Sequence, residues 1–151
     1  MKKYILTIDQ GTTSTRAILF DHKANTIGIY QMEFTQICPK SGYVEHNADE
    51  IYQTVLECIK NVIINASIEP EEIDSIAITN QRETTVAFGF DGHPLANAIC
   101  WQSRQSQKIC DDLIARGYED MIYQKTGLHI NPYFSASKIR YLIDNNQNIK
   151  D

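Results

Sequence analysis

The run Asp9-Gln10-Gly11-Thr12-Thr13-Ser14-Thr15-Arg16 lies between two apolar segments, Tyr4-Ile5-Leu6-Thr7-Ile8 and Ala17-Ile18-Leu19-Phe20. Both segments are rich in β-branched and aromatic residues, so the unit reads as two strands joined by a tight turn. A hairpin of this kind needs little more than an Asn-Gly or Asp-Gly pair. This turn also carries a carboxylate, a row of hydroxyls and a guanidinium. Gly11 lets the backbone turn sharply and come close to a ligand. Backbone N–H groups in such a turn form an anion-binding concavity, and the hydroxyls of Thr12, Thr13 and Ser14 add donors. Asp9 supplies the hard oxygen that Mg²⁺ takes, and Arg16 can neutralise phosphate charge in fixed geometry. One reading is a phosphate cradle with a cation holder. The other is a hydroxyl-rich hairpin loop with a solvated arginine. The pattern GxxxxGK[ST] is absent, so a phosphate site here has a different geometry.

Whole-chain properties narrow the class. At 151 residues, 42% hydrophobic and 22% charged, the chain can bury one core of ordinary size, as globular proteins do. The net charge of −5, without a basic cluster, argues against a nucleic-acid partner. Met1-Lys2-Lys3 resembles the start of a signal peptide, but Asp9 interrupts the apolar stretch after five residues. No stretch approaches transmembrane length, so no membrane partner is expected. Cys38, Cys58, Cys100 and Cys110 lack C-x-x-C spacing and read as reduced, mostly packed thiols of a cytoplasmic protein. His22, His46, His93 and His129 are scattered, without ligand spacing.

The chain reads as α/β. A third antiparallel strand is expected over 26–34, completing a meander. A Pro- and Gly-containing loop follows over 38–43. A helix starts near Asn47, which can cap it with Glu50 three positions on. Ile51, Val55, Ile59, Val62 and Ala66 keep helical spacing along its buried face. Ile73–Thr79 is apolar at its centre and suits a buried parallel strand reached by the helical crossover. Val86–Phe90 looks strand-like before the Asp91-Gly92 turn, and Ala98–Trp101 is a short apolar run. Ser103 can cap a helix containing Ile109, Cys110, Leu113 and Ile114, stopped by Gly117. A short helix runs from Glu119 to about Lys125 and ends at Gly127. Ser135 can cap a last helix that turns Ile139, Leu142 and Ile143 inward. The tail from Asp144 is polar.

A second constellation is Arg82-Glu83, beyond the parallel strand. Ligands of open α/β sheets sit at the carboxyl ends of strands. An adjacent guanidinium and carboxylate suit a small neutral polyol, one donating to hydroxyls and the other accepting from them. Trp101 could cover the carbon backbone of such a ligand, and Tyr133 could present its phenol. A surface ion pair with a core Trp and Tyr would use the same residues.

Several of these segments together resemble the FGGY carbohydrate kinases. They are Ile8–Arg16, Gly42-Tyr43-Val44-Glu45-His46, Ile78–Thr85, Trp101-Gln102, Thr126-Gly127-Leu128 and Pro132-Tyr133-Phe134-Ser135. The run Asn80-Gln81-Arg82-Glu83-Thr84-Thr85 is similar to that of the glycerol kinases within the family; the phosphate turn alone indicates only the wider family. The resemblance implies a ribonuclease-H-like, actin-like ATPase fold. That fold has a mixed sheet, an N-terminal antiparallel three-strand meander and flanking helices. Residues 1–151 would be the N-terminal part of the first actin-like domain, with the rest of that domain and all of the second lying outside them. The implied reaction is ATP-dependent phosphorylation of glycerol to sn-glycerol 3-phosphate, with ATP/ADP and Mg²⁺. Kinases of the same family for another sugar or polyol, and a non-catalytic actin-like nucleotide-binding module, are the alternatives. Thr12, Thr13, Ser14 and Arg16 would serve the nucleotide phosphates, and Asp9 the Mg²⁺ environment. Arg82, Glu83, Trp101 and Tyr133 would line the glycerol pocket. The family's catalytic aspartate and adenine site have no counterpart here and are expected downstream. The full-length enzyme is expected to be a homo-oligomer. Thr15 stands where many members have Ser, and Ser103 where a Cys is common.

Overall fold

Strands β1 (Tyr4–Gln10), β2 (Ser14–Asp21) and β3 (Thr26–Glu33) form the expected antiparallel meander. The computed structural model describes residues 2–150. They fall into two units. The first holds the chain up to Thr35 and Asp49–Gln81; the second holds Gln36–Ala48 and the chain from Arg82 onward.

In the first unit, helix α1 (Ala48–Asn65) carries the chain to a 3-10 turn at Pro70–Glu72 and into β5 (Ile73–Asn80). β5 lies parallel to β1, giving the sheet order β3-β2-β1-β5. Parallel pairing needs a crossover of this length. Leu6, Ala17 and Leu19 from the sheet meet Cys58 and Val62 of α1 in a fully buried cluster. Ile59, Ile63 and Ala66 pack around it.

The centre of the helix face differs from the expected one by one position. Thr54, Cys58 and Val62 are buried, while Ile51, Val55 and Ile59 flank them half-buried. The reason is a buried polar contact that a hydrophobicity pattern does not register. Thr54 Oγ1 lies 2.7 Å from Thr15 Oγ1, beneath the polar turn, and donates to the Ile51 carbonyl at 2.7 Å. Cys58 Sγ donates to the Thr15 carbonyl at 3.4 Å. Thr54→Val strands the Thr15 hydroxyl in a dry site, so it should lower unfolding stability by about 1–3 kcal/mol. Adding Thr15→Val should restore part of that loss, because the pair is coupled. Urea unfolding of the single and double variants measures it; additive losses would mean that the hydroxyls do not interact.

β5 is not buried as expected. It is the sheet's edge strand, and Ile76 and Ile78 are 59% and 73% exposed. The register puts Ile76 beside Leu6 and Ile78 beside Ile8, on the face that α1 covers farther along the sheet. The core cluster reaches β5 only at Ile73, and the rest of that strand is exposed within the described residues.

In the second unit, β4 (Glu45–His46) pairs antiparallel with β6 (Ala98–Ile99), and Thr85 bridges to Ile99. Residues 86–90 form no strand. Phe88 makes an isolated bridge to Pro94 across a turn in which Gly92 has φ +82°. Helices α2 (Gln107–Ala115), α3 (Glu119–Thr126) and α4 (Ser135–Asn145) follow, with a short α5 (Gln147–Lys150) in the polar tail. Gly117 (φ +79°) and Gly127 (φ +73°) end α2 and α3 in the left-handed conformation that glycine tolerates best, as expected.

Both expected serine caps are displaced. Ser106, not Ser103, precedes α2. Ser103 is buried instead, accepting from the Val44 N–H at 3.1 Å. Phe134 precedes α4, and Ser135 turns to Glu83. Along α4, Leu142 is buried and Ile143 half-buried as expected, but Ile139 is exposed and its place inside is taken by Lys138. Cys58, Cys100 and Cys110 are buried thiols outside any disulfide, their pKa values raised by burial, and Cys38 is an exposed thiol. No described helix is long and apolar enough to cross a membrane.

Candidate functional site

The polar turn of the first unit spans residues 11–13, between β1 and β2. The Gly11 N–H donates to the Ser14 carbonyl at 2.9 Å and closes the turn. A Cβ at Gly11 would stand 3.1 Å from that same oxygen, so a side chain there is crowded by backbone. Asp9 and Arg16 face each other across the β1–β2 ladder, with Arg16 Nη1 3.5 Å from Asp9 Oδ2. Arg16 Nε donates to Gln31 Oε1 at 3.0 Å, and Gln31 Nε2 donates to Ser14 Oγ at 3.1 Å. The structure thus brings Asp9, Arg16 and Ser14 together. Thr12 and Thr13 sit on the turn itself, with Thr13 exposed at its tip. Gln10 Nε2 donates to the Gly11 carbonyl at 2.7 Å, and Gln81 Nε2 donates to Gln10 Oε1 at 3.3 Å. The turn is therefore held on the β5 side as well.

Gln31 is a part of this site that motif reading missed. It looks like an ordinary outward residue of β3. The detectable signal was register: a meander of this length puts Gln31 directly across from Arg16. A cross-strand amide at Nε holds the guanidinium in one orientation, with Nη1 reaching Asp9.

Asp9 is a single, half-exposed carboxylate. The described residues contain no group of three or more His, Cys, Asp or Glu side chains able to cage a metal. One carboxylate does fit Mg²⁺ that arrives with a nucleotide, because that ion keeps its waters and takes phosphate oxygens as ligands.

The second unit holds the other constellation. Glu83 has φ +66°, a left-handed conformation that costs a non-glycine residue roughly 1–3 kcal/mol. Its carboxylate is held in return: Oε2 accepts from the Ser135 N–H at 2.8 Å and the Ser135 Oγ–H at 2.7 Å. The Ser135 hydroxyl foremost, and the Lys138 and Arg82 charges more weakly, hold the Glu83 carboxyl below the usual carboxylate range. Arg82 is exposed on the same turn.

Trp101 is anchored by its N–H to Thr84 Oγ1 at 3.2 Å. The Trp101 and Tyr133 rings meet edge to face at 5.8 Å, and Tyr133 meets Phe134 at 5.1 Å. Trp101 and Tyr133 line a cleft of about 460 Å³ with Arg104, Gln107 and Asn131. Glu83 lines a second, more apolar cleft of about 430 Å³ with Cys110, Leu113 and Phe134. The two clefts share Ile130 and Asn131. The aromatic pair is thus assembled as expected, while Glu83 opens mainly on the neighbouring hollow.

The pH dependence of the Glu83–Ser135 contact has a definite sign. A carboxyl whose folded pKa is depressed contributes stability above its unfolded pKa and loses it as pH falls through the folded value. Ser135→Ala should therefore destabilise the protein most at neutral pH. The difference from the unsubstituted protein should shrink in acid, as pH falls through the depressed folded pKa and the carboxylate protonates. Unfolding midpoints at neutral and acid pH test this; a difference that grows on acidification would rule out the contact.

The fold is an α/β one, with an antiparallel meander and a parallel strand reached by a helical crossover. Residues 4–151 match the N-terminal domain of the FGGY family of carbohydrate kinases, and the chain belongs to that family. Within it, the chain is 55% identical over 145 residues to a glycerol kinase of Enterococcus casseliflavus, and 53% identical over 145 residues to one of Desulforamulus reducens. Each match covers 95% of this chain and 29% of the relative. The crystal structure of Plasmodium falciparum glycerol kinase with ADP matches with a TM-score of 0.88 at 34% identity, over 97% of this chain and 30% of that one. A gluconate kinase from Lactobacillus acidophilus matches with a TM-score of 0.88 at 27% identity, over 99% of this chain and 30% of that one. The meander, crossover helix and parallel strand are thus those of the actin-like FGGY sugar kinases. The chain spans about 30% of the length of these relatives.

Proposed function

We propose that this chain forms the N-terminal part of the first actin-like domain of a cytoplasmic glycerol kinase, which transfers the γ-phosphoryl group of ATP to a terminal hydroxyl of glycerol. The observation that carries the reading is Glu83: a strained backbone and two donors from Ser135 hold a carboxylate in one place, on the run most like that of the glycerol kinases. The fold alone does not choose the substrate, since the glycerol and gluconate kinase structures match it equally well. Identity favours glycerol, at 53–55% for named glycerol kinases against 27% for the gluconate kinase.

In this reading the Glu83 carboxylate accepts from glycerol hydroxyls and the Arg82 guanidinium donates to them. Trp101 and Tyr133 cover the carbon backbone and limit its freedom. The hydroxyls of Thr12, Thr13 and Ser14 and the Arg16 guanidinium receive phosphate oxygens. Asp9 orients Arg16 and contributes to the surroundings of Mg²⁺, which when bound neutralises phosphate charge. Catalysis of phosphoryl transfer rests mainly on positioning and electrostatic stabilisation, so these residues act by holding the reactants. The proton of the attacking hydroxyl is assigned to a base outside residues 1–151.

The test is ADP release by the full-length polypeptide carrying this chain, with glycerol, gluconate, xylulose and other polyols as acceptors. Preference for glycerol is expected. Preference for a sugar or sugar acid would transfer the reading to another branch of the family, and ATP binding without transfer to any acceptor would indicate a nucleotide-binding module.

A further inference from the structure

Lys138 is the largest fully buried side chain of the described residues, at 0% exposure. Lysine is almost never buried so completely without compensation, because its ammonium loses its water. Here the compensation is backbone oxygen. Nζ donates to the Tyr133 carbonyl in a short hydrogen bond and to the Phe134 carbonyl at 3.4 Å. It also lies 6.0 Å from the centre of the Tyr133 ring. Burial lowers its pKa, and the Glu83 charge opposes that shift. Reciprocally, the ammonium contributes to holding Glu83 ionised.

An apolar side chain of similar volume would fill this site more cheaply, since buried charges commonly cost more than they return. Stability therefore gives no reason for a lysine. Location does. The two carbonyls that it holds are successive, and the first belongs to Tyr133, whose ring stacks edge-on against Trp101. Ser135, one residue beyond the second, binds Glu83. Lys138 thus lies behind both the aromatic wall and the carboxylate.

We propose that Lys138 is a positioning residue of the polyol site: its buried ammonium pins the 133–134 backbone and so fixes the Tyr133–Trp101 wall and, through the adjoining Ser135, the Glu83 carboxylate. This rests on the assignment of the polyol site above. A residue that acts by placement affects the acceptor more than the nucleotide, and small misplacements are costly in such sites.

Two readouts test it. The first is steady-state kinetics of the full-length polypeptide with Lys138→Met, Lys138→Gln and Lys138→Arg. The Met and Gln variants should raise KM for glycerol by about tenfold or more, within the range that misplacement can cost, and leave KM for ATP within about twofold. Arginine keeps charge and donors but brings a planar, wider head into a closed site, so it should raise KM for glycerol less than Met or Gln does. The second readout is acrylamide quenching of Trp101, the sole tryptophan of this chain, on the 151-residue polypeptide. Quenching should increase in the Met and Gln variants, and less in the Arg variant. If Lys138→Met does not fold by circular dichroism, Lys138→Gln decides. Unchanged KM for glycerol with unchanged quenching would overturn the proposal, as would equal rises in KM for glycerol and ATP. If glycerol proves not to be the acceptor, the substrate assignment falls, and Trp101 quenching still decides the role of Lys138.

Discussion

Glu83→Ala in the full-length polypeptide should reduce kcat/KM for glycerol by about a hundredfold or more, with little change in KM for ATP. A hydrogen bond to a charged group contributes about 1.5–3 kcal/mol, and a carboxylate can accept from two neighbouring glycerol hydroxyls. Each 1.4 kcal/mol is about tenfold, so losing both bonds outweighs any relief elsewhere. The expectation is sharpened by the backbone. Glu83 sits at φ +66°, where glycine is at ease and other residues are not. Glu83→Gly should therefore be more stable than Glu83→Ala, by roughly 1 kcal/mol, while losing glycerol use to the same extent. Activity and stability would then move apart at one position. Michaelis constants for both substrates and unfolding midpoints of the two variants measure this. A glycerol KM near that of the unsubstituted enzyme in either variant would show that Glu83 does not touch the acceptor.

The 151-residue polypeptide alone should give no detectable glycerol-dependent ADP release. It contains the turn with Asp9 and Arg16 and the wall with Trp101 and Tyr133, but spans about 30% of its glycerol kinase relatives. The general base assigned to later chain is worth about 10²–10⁴-fold. Accurate placement of the reacting groups accounts for about 7–11 kcal/mol in favourable cases, and a site lacking most of its walls cannot supply that. The losses multiply, because exclusion of water also fails in an open site. A coupled assay at millimolar ATP and glycerol is the measurement. Turnover that disappears on Asp9→Ala would mean that these residues hold a complete active site and that the assignment of the base is wrong.

Local chemistry was legible in the sequence wherever one segment decides its own conformation. β-branched strands around a glycine turn gave the meander, helical spacing gave α1, and the glycines at 117 and 127 ended their helices as expected. The family was legible because its motifs are short, contiguous runs. Register was only half legible: Arg16 was recognised, but its partner Gln31 is visible only once β3 is aligned with β2.

What the sequence by itself determined, then, is the α/β class, the crossover to a parallel strand and the residue types at both sites. Tertiary structure decided which of those residues are held, and by what. Ser103 and Ser135 looked like helix caps; each found a stronger partner farther along the chain, in the Val44 N–H and the Glu83 carboxylate. Ile139 fits an inward helical position, yet Lys138 lies inside, where two carbonyls and a nearby carboxylate offset part of the loss of water. β5 reads as a buried strand, and its exposure depends on which elements cover it. The physical reason is common to all of these. Turn, helix and strand propensities are set by neighbours in the chain, whereas the fate of a polar or apolar side chain depends on groups tens of residues away, brought to it only by the fold.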